Sequence, residues 1–152
     1  MAGEQNIDPQ DPVSTIIGRM LPHRKPELGE MGGIITVSSG VLSGRSSGVA
    51  VLGSLQNPFD RPCLAAALAD IQVVSATANS TISIGVDADG TTSRSHLLSA
   101  GDSDAAVAVL GGLLWRKLDE KGGANDHIVI SHSNHDQSAL RVRLIALLIP
   151  LP

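Results

Sequence analysis

The sequence predicts an all-β protein: an antiparallel β-sandwich, jelly-roll-like, with an extended N-terminal arm. Three observations carry this. The C-terminal half is cut into short aliphatic runs, such as Thr81 to Val86, His127 to His132 and Ala139 to Ile145, whose apolar residues alternate. Between the runs stand turn residues, among them Asp87-Ala88-Asp89-Gly90 and the Ser/Asn/His/Asp stretch from Ser131 to Asp136. Third, Pro9, Pro12, Pro22 and Pro26, half of the chain's eight prolines, crowd into the first thirty residues. Proline breaks helices and cannot donate to a central ladder, so that region reads as extended chain.

The arm is assigned to residues 1–31 and the sandwich to 32–152. Within the arm, Val13 to Met20 is apolar and capped by Ser14, enough for two helical turns. One reading of the arm is a disordered leader. The other is a segment that orders on a partner surface, because a solvating tail has no need of Ile16, Ile17, Met20 and Leu21.

In the sandwich, Ile34 to Val37 is the first expected strand, ended by Ser38-Ser39-Gly40, and Gly48 to Leu52 is the second. Leu64 to Ala78 is ambiguous. Its start, Leu64 to Ala69, is rich in alanine and favours helix, whereas Ile71 to Thr77 favours strand. The whole is read as a strand. Ile82 to Val86 follows, then a loop from Thr91 to Gly101 carrying one helical turn at His96-Leu97-Leu98. Ala105 to Leu110 is a strand, and Leu113 to Leu118 a strand or a short helical turn. Ile128 to Ser131 and Leu140 to Ile145 close the count. Some eight strands suit a double-sheet jelly roll or a related sandwich.

Composition narrows function. The chain has 152 residues, 42% of them apolar, but Phe59 and Trp115 are its only aromatics. Carbohydrate binding leans on flat rings and single-strand nucleic-acid binding stacks bases on them, so neither is expected. A net charge of −4 also lacks the basic footprint of a DNA binder. Cys63 is the single cysteine, so no intrachain disulfide forms, which fits a reducing compartment. The N-terminus has neither a basic start nor an apolar signal core. The C-terminal apolar stretch is interrupted by Arg141 and Arg143 and is too short to span a bilayer. A soluble, non-exported protein without membrane contact is expected.

Several residue sets bear on chemistry. Gly44-Arg45-Ser46-Ser47-Gly48 spells the hydrolase elbow, but that motif needs a strand before it and a helix after it, and a strand pattern follows here. It reads as a turn. His127, His132 and His135 with Asp136 are the densest candidate metal ligands, with imidazole and carboxylate chemistry suited to zinc; the same loop is also what a hairpin tip looks like without metal. Asp87-Ala88-Asp89-Gly90 resembles the start of a calcium loop but lacks the distant glutamate. Cys63 reads as a small buried side chain. The expectation is no enzyme, no cofactor and no metal, with a metal-dependent hydrolase built on the three histidines as the least favoured alternative.

From Asp70-Ile71-Gln72-Val73-Val74, through Ser83 to Thr92 and Leu97 to Gly101, to Ile128 to Ser131 and Leu140 to Ile145, the order of strands and loops resembles the small head decoration (cement) proteins of tailed bacteriophages. The resemblance covers roughly the last eighty residues and rests on strand order and loop composition. It implies a virion structural protein on the capsid exterior, assembled in the host cytoplasm. It further implies a homotrimer, with the major capsid protein as partner, bridging neighbouring coat subunits. An arm of that kind adds a strand to a partner's sheet edge. The residues assigned to it are Val13, Ile16, Ile17, Met20, Leu21, Leu28 and Met31. The Pro-containing leader equally suits attachment to a tail or fibre, or another β-sandwich assembly module.

Overall fold

The computed structural model describes residues 33–73, 80–103, 107–134 and 140–152. The arm residues from Val13 to Met31, and His135 with Asp136, lie outside them.

The described residues form strands β1 (Ile35–Gly44), β2 (Ala50–Gln56), β3 (Cys63–Val73), β4 (Thr81–Asp87), β5 (Leu98–Asp102), β6 (Val107–Gly111), β7 (Arg116–Leu118), β8 (His127–Ser133) and β9 (Leu140–Pro150). All pairings are antiparallel. One sheet has the order β1-β9-β3-β6, with β7 also on β3, and the other β2-β8-β4-β5.

Strands β6 and β7 are two halves of one edge strand. β6 pairs with Leu68–Gln72 and β7 with Cys63–Ala65 of the same neighbour. Between Gly111, opposite Leu68, and Arg116, opposite Ala65, the edge advances two residues more than β3 does, and the surplus is extruded as a bulge. Counted as one strand, they leave eight. First pairs with last (β1 with β9), second with second-last (β2 with β8), third with third-last (β3 with β6/β7), and β4 with β5. This is a long antiparallel ribbon rolled on itself, and the cross-pairings β9 with β3 and β8 with β4 close it into two sheets. The fold is a jelly roll.

The core forms where the two inner faces meet. In β9, Leu140, Val142, Leu144, Ala146 and Leu148 are buried, while the residues between them are exposed or half-buried. β3 contributes Cys63, Ala65, Ala67, Ala69 and Ile71, and the opposite sheet contributes Ile82, Ile84, Ile128 and Ile130. Small side chains on one sheet leave room for isoleucines from the other, which is how an interior almost without rings reaches native density. Burial therefore overrides the helical propensity of the alanine run.

Two boundary expectations change, and one open alternative is resolved. β1 does not end at Ser38-Ser39-Gly40; it passes through a bulge between Ser38 and Val41 and runs on to Gly44. Ser39 Oγ accepts the Leu144 amide at 3.1 Å there, standing in for a ladder carbonyl. The expected helical turn at His96 to Leu98 is absent: the Leu97 amide bonds Ile84 O at 2.9 Å and β5 starts at Leu98. Leu113 to Leu118 resolves as bulge and strand, without a helical turn.

Candidate interaction surface

At one end of the β2-β8-β4-β5 sheet, Asp87 closes β4 opposite His127 at the start of β8. Asp87 Oδ2 accepts the Thr91 and Thr92 amides at 3.2 and 3.1 Å, and Oδ1 accepts Arg94 Nε at 3.1 Å. Asp89 Oδ1 accepts the Thr91 amide and hydroxyl. The sequence that resembles a calcium loop is thus a turn whose carboxylates hold their own backbone. Burial opposes ionisation of Asp87, but the Thr92 amide and the Arg94 guanidinium outweigh it and hold the carboxyl well below the usual range.

Asp126 is built alike. It is 2% exposed and accepts Gln56 Nε2 and the Gly122 amide, each at 2.7 Å, while its Oδ1 stands 2.7 Å from His127 Nδ1. Burial again works against the charge, and these hydrogen bonds lower the pKa despite it. Nearby, the buried Asn57 side chain donates to Arg61 O and Asp119 O and accepts the Phe59 amide, tying the β2–β3 turn to the loop after β7. No signal in the sequence singled out Asn57 or Asp126, because their partners lie up to seventy residues away.

His127 and His132 sit at opposite ends of β8, five positions apart. That odd spacing puts them on opposite faces, about 17 Å apart along the strand, so one ion does not reach both. Ser46 lies in the turn between β1 and β2, where its Oγ accepts the Gly48 amide at 3.2 Å; the strand–turn–helix setting of a nucleophile elbow is missing. Cys63 is fully buried against Asn57, and burial pushes its thiol pKa up.

The feature that looks outward is the exposed face of the β1-β9-β3-β6 sheet. Opposite the buried set of β9 stand Arg141, Arg143, Ile145, Leu147 and Ile149. Their outward partners on β3 are Gln72, Asp70, Leu68, Ala66 and Leu64. The face is therefore divided along its length: polar and basic at the Arg141 end, aliphatic at the Ile149 end. The β6–β7 bulge borders the aliphatic half. Gly112, in the left-handed region at φ +82°, lies over Leu68 so closely that a Cβ would fall 2.6 Å from its Cδ2. Leu113, Leu114 and Trp115 follow, with Leu113 89% exposed. The sequence did carry a signal for this face: beyond Arg143, β9 is apolar at every position, which is the pattern of a strand covered on both sides.

No family model matches the chain, and no curated protein matches it. Among solved structures it is similar to a chain of the cyanophage Pam1 capsid asymmetric unit, at 18% identity and a TM-score of 0.47, over 87% of this chain and 93% of that one.

Proposed function

We propose that this chain is a non-enzymatic virion structural protein that decorates the exterior of a tailed-phage capsid and stabilises it by bridging coat subunits. The observation that carries this is the jelly-roll topology closed around a mainly aliphatic core. Jelly rolls serve chiefly as viral capsid modules, lectins and cupins. A cupin-type site needs several metal ligands in the interior. Here, among the described residues, the one buried histidine is His132, beside a core cluster of alanine, isoleucine, leucine and valine with Cys63. A lectin needs aromatic platforms, and the chain has one tryptophan, one phenylalanine and no tyrosine. The structural class is what remains, by analogy of fold and not by a site. The sequence resemblance to head decoration proteins points the same way.

In this reading residues 1–31 are the gripping arm and 32–152 the body. Val13, Ile16, Ile17, Met20, Leu21, Leu28 and Met31 bury themselves against the major capsid protein, and three copies act together. Multivalent attachment to a lattice turns weak single contacts into firm binding through effective concentration.

The test is co-sedimentation of the purified chain with expanded heads of its own virus that lack it. Saturation at a fixed ratio to the coat subunit, lost on deleting residues 1–31, is expected. No binding to heads would move the protein to a tail, a fibre or a cellular assembly.

A further inference from the structure

We infer that the outward face of the β1-β9-β3-β6 sheet is the docking surface for the chain's own N-terminal segment, residues 1–32 of the same copy. Three features of the molecule select that occupant.

The first is where the segment is attached. Ile35 pairs with Leu148, so the chain enters β1 beside Ile149, at the aliphatic end of the face. Residues 22–32 alone reach roughly 36–40 Å when extended, and the face from Ile149 to Arg141 is only about 26 Å long. Every part of it lies within reach without help from a second copy.

The second is the order of chemistry. Counting back from β1, residues 22–32 carry charges of both signs, Arg24, Lys25, Glu27 and Glu30, and serve as the tether. The segment is next apolar, with Val13, Ile16, Ile17, Met20 and Leu21. It then becomes acidic: residues 1–12 carry Glu4, Asp8 and Asp11 and no lysine or arginine. Past that tether the segment follows the order of the face, which has Ile149, Leu147 and Ile145 first, then Arg143, with Asp70 opposite it on β3, and Arg141. Laid along β9, apolar meets apolar and carboxylate meets guanidinium.

The third is the aliphatic patch itself. Leu64, 38% exposed, and the half-buried Leu68, Ile145, Leu147 and Ile149 adjoin one another on the central strands of the sheet, where aliphatic side chains turned outward invite a cover. Central strands exclude a partner that pairs by backbone, so the occupant contributes side chains.

The docking stands on this geometry alone. Its use rests on the proposed role: the residues that grip the coat would be sheltered on the body until a particle competes for them.

The experiment is disulfide trapping in the dilute, head-free, full-length protein. Ile17→Cys is combined with Ile145→Cys, and a control combines Ile17→Cys with Ser99→Cys, an exposed position on β5 in the other sheet. Native Cys63 is fully buried and does not compete. An intrachain disulfide is expected at least tenfold faster in the first pair than in the control, and slowed severalfold by adding Arg141→Glu and Arg143→Glu. Met20→Cys with Leu147→Cys repeats the measurement at a neighbouring contact. Equal rates in test and control pairs, or crosslinks formed only between chains, would overturn the inference. Co-sedimentation with heads is scored separately, so failure of the virion role and failure of the docking are told apart.

Discussion

Arg94 folds back over β4 so closely that a Cβ built on Gly85 would lie 2.7 Å from the Arg94 carbonyl carbon. The neighbouring Ser95 amide nitrogen would be 2.8 Å from it. Backbone blocks the way here, and backbone does not swing aside as a side-chain tip does. Gly85 is therefore required by the approach of the 93–96 segment, which delivers Arg94 to Asp87. Gly85→Ala is expected to cost about 1–3 kcal/mol, as overpacking of a filled site does. A urea titration would show a lower midpoint at unchanged slope, whereas an unchanged midpoint would mean that the segment moves away freely.

Asp87 and Asp126 set the response to acid. Both carboxyls titrate below their ordinary value in the folded protein, so both contribute stability that is fully present above the unfolded value of about 3.9. That contribution is lost as pH falls through the folded values. Unfolding free energy should thus be flat with respect to these two groups above about pH 5 and decline below about pH 4. Asp87→Asn sets an amide NH2 against a donor on one side, either the Thr91 and Thr92 amides or Arg94 Nε. It should cost about 1–3 kcal/mol at neutral pH and flatten the acid limb. Denaturant midpoints measured from pH 2 to 7 decide it; an unaltered acid limb would remove Asp87 from the account.

The thiol of Cys63 reports global opening. It is fully buried, its pKa is raised by that burial, and it sits at the start of the central strand β3. Only thiolate reacts with disulfide reagents. Native protein should therefore label at the rate at which the sandwich unfolds, with full stoichiometric labelling in denaturant. Rapid labelling of the native chain would contradict the burial.

Much of this architecture was legible because one force dominated locally. β4, β8 and β9 alternate or run apolar between turn residues, and the structure places strands there. The Leu64 to Ala69 run was harder, since alanine's preference for helix is local while its smallness serves the isoleucines of the facing sheet, which are remote in sequence. β5 and the continuation of β1 beyond Gly40 were missed for the same reason: Leu98 pairs with Ile84 and Val41 with Arg143, and register of that kind leaves no local trace. The histidines were adjacent in sequence, yet strand geometry parts His127 from His132. The outward aliphatic face was written in β9 as an unbroken apolar run, readable only once the buried side of the strand was known.

That distinction between the two faces of a strand yields the sharpest contrast in stability. Leu144 is fully buried in the core from β9, whereas Leu113 in the β6–β7 bulge is 89% exposed. Removing the Leu144 side chain to alanine forfeits its transfer free energy and leaves a cavity that the strands, held by two ladders, cannot close. A loss of roughly 2–5 kcal/mol is expected. Leu113→Ala removes a side chain that buries almost nothing, so its effect on the isolated chain should stay within about 0.5 kcal/mol. Leucine to alanine is the same chemical change at both sites, so the ratio of the two losses isolates burial from composition. Comparable losses, measured by chemical denaturation of both variants, would mean that the bulge is packed in solution against something that covers Leu113.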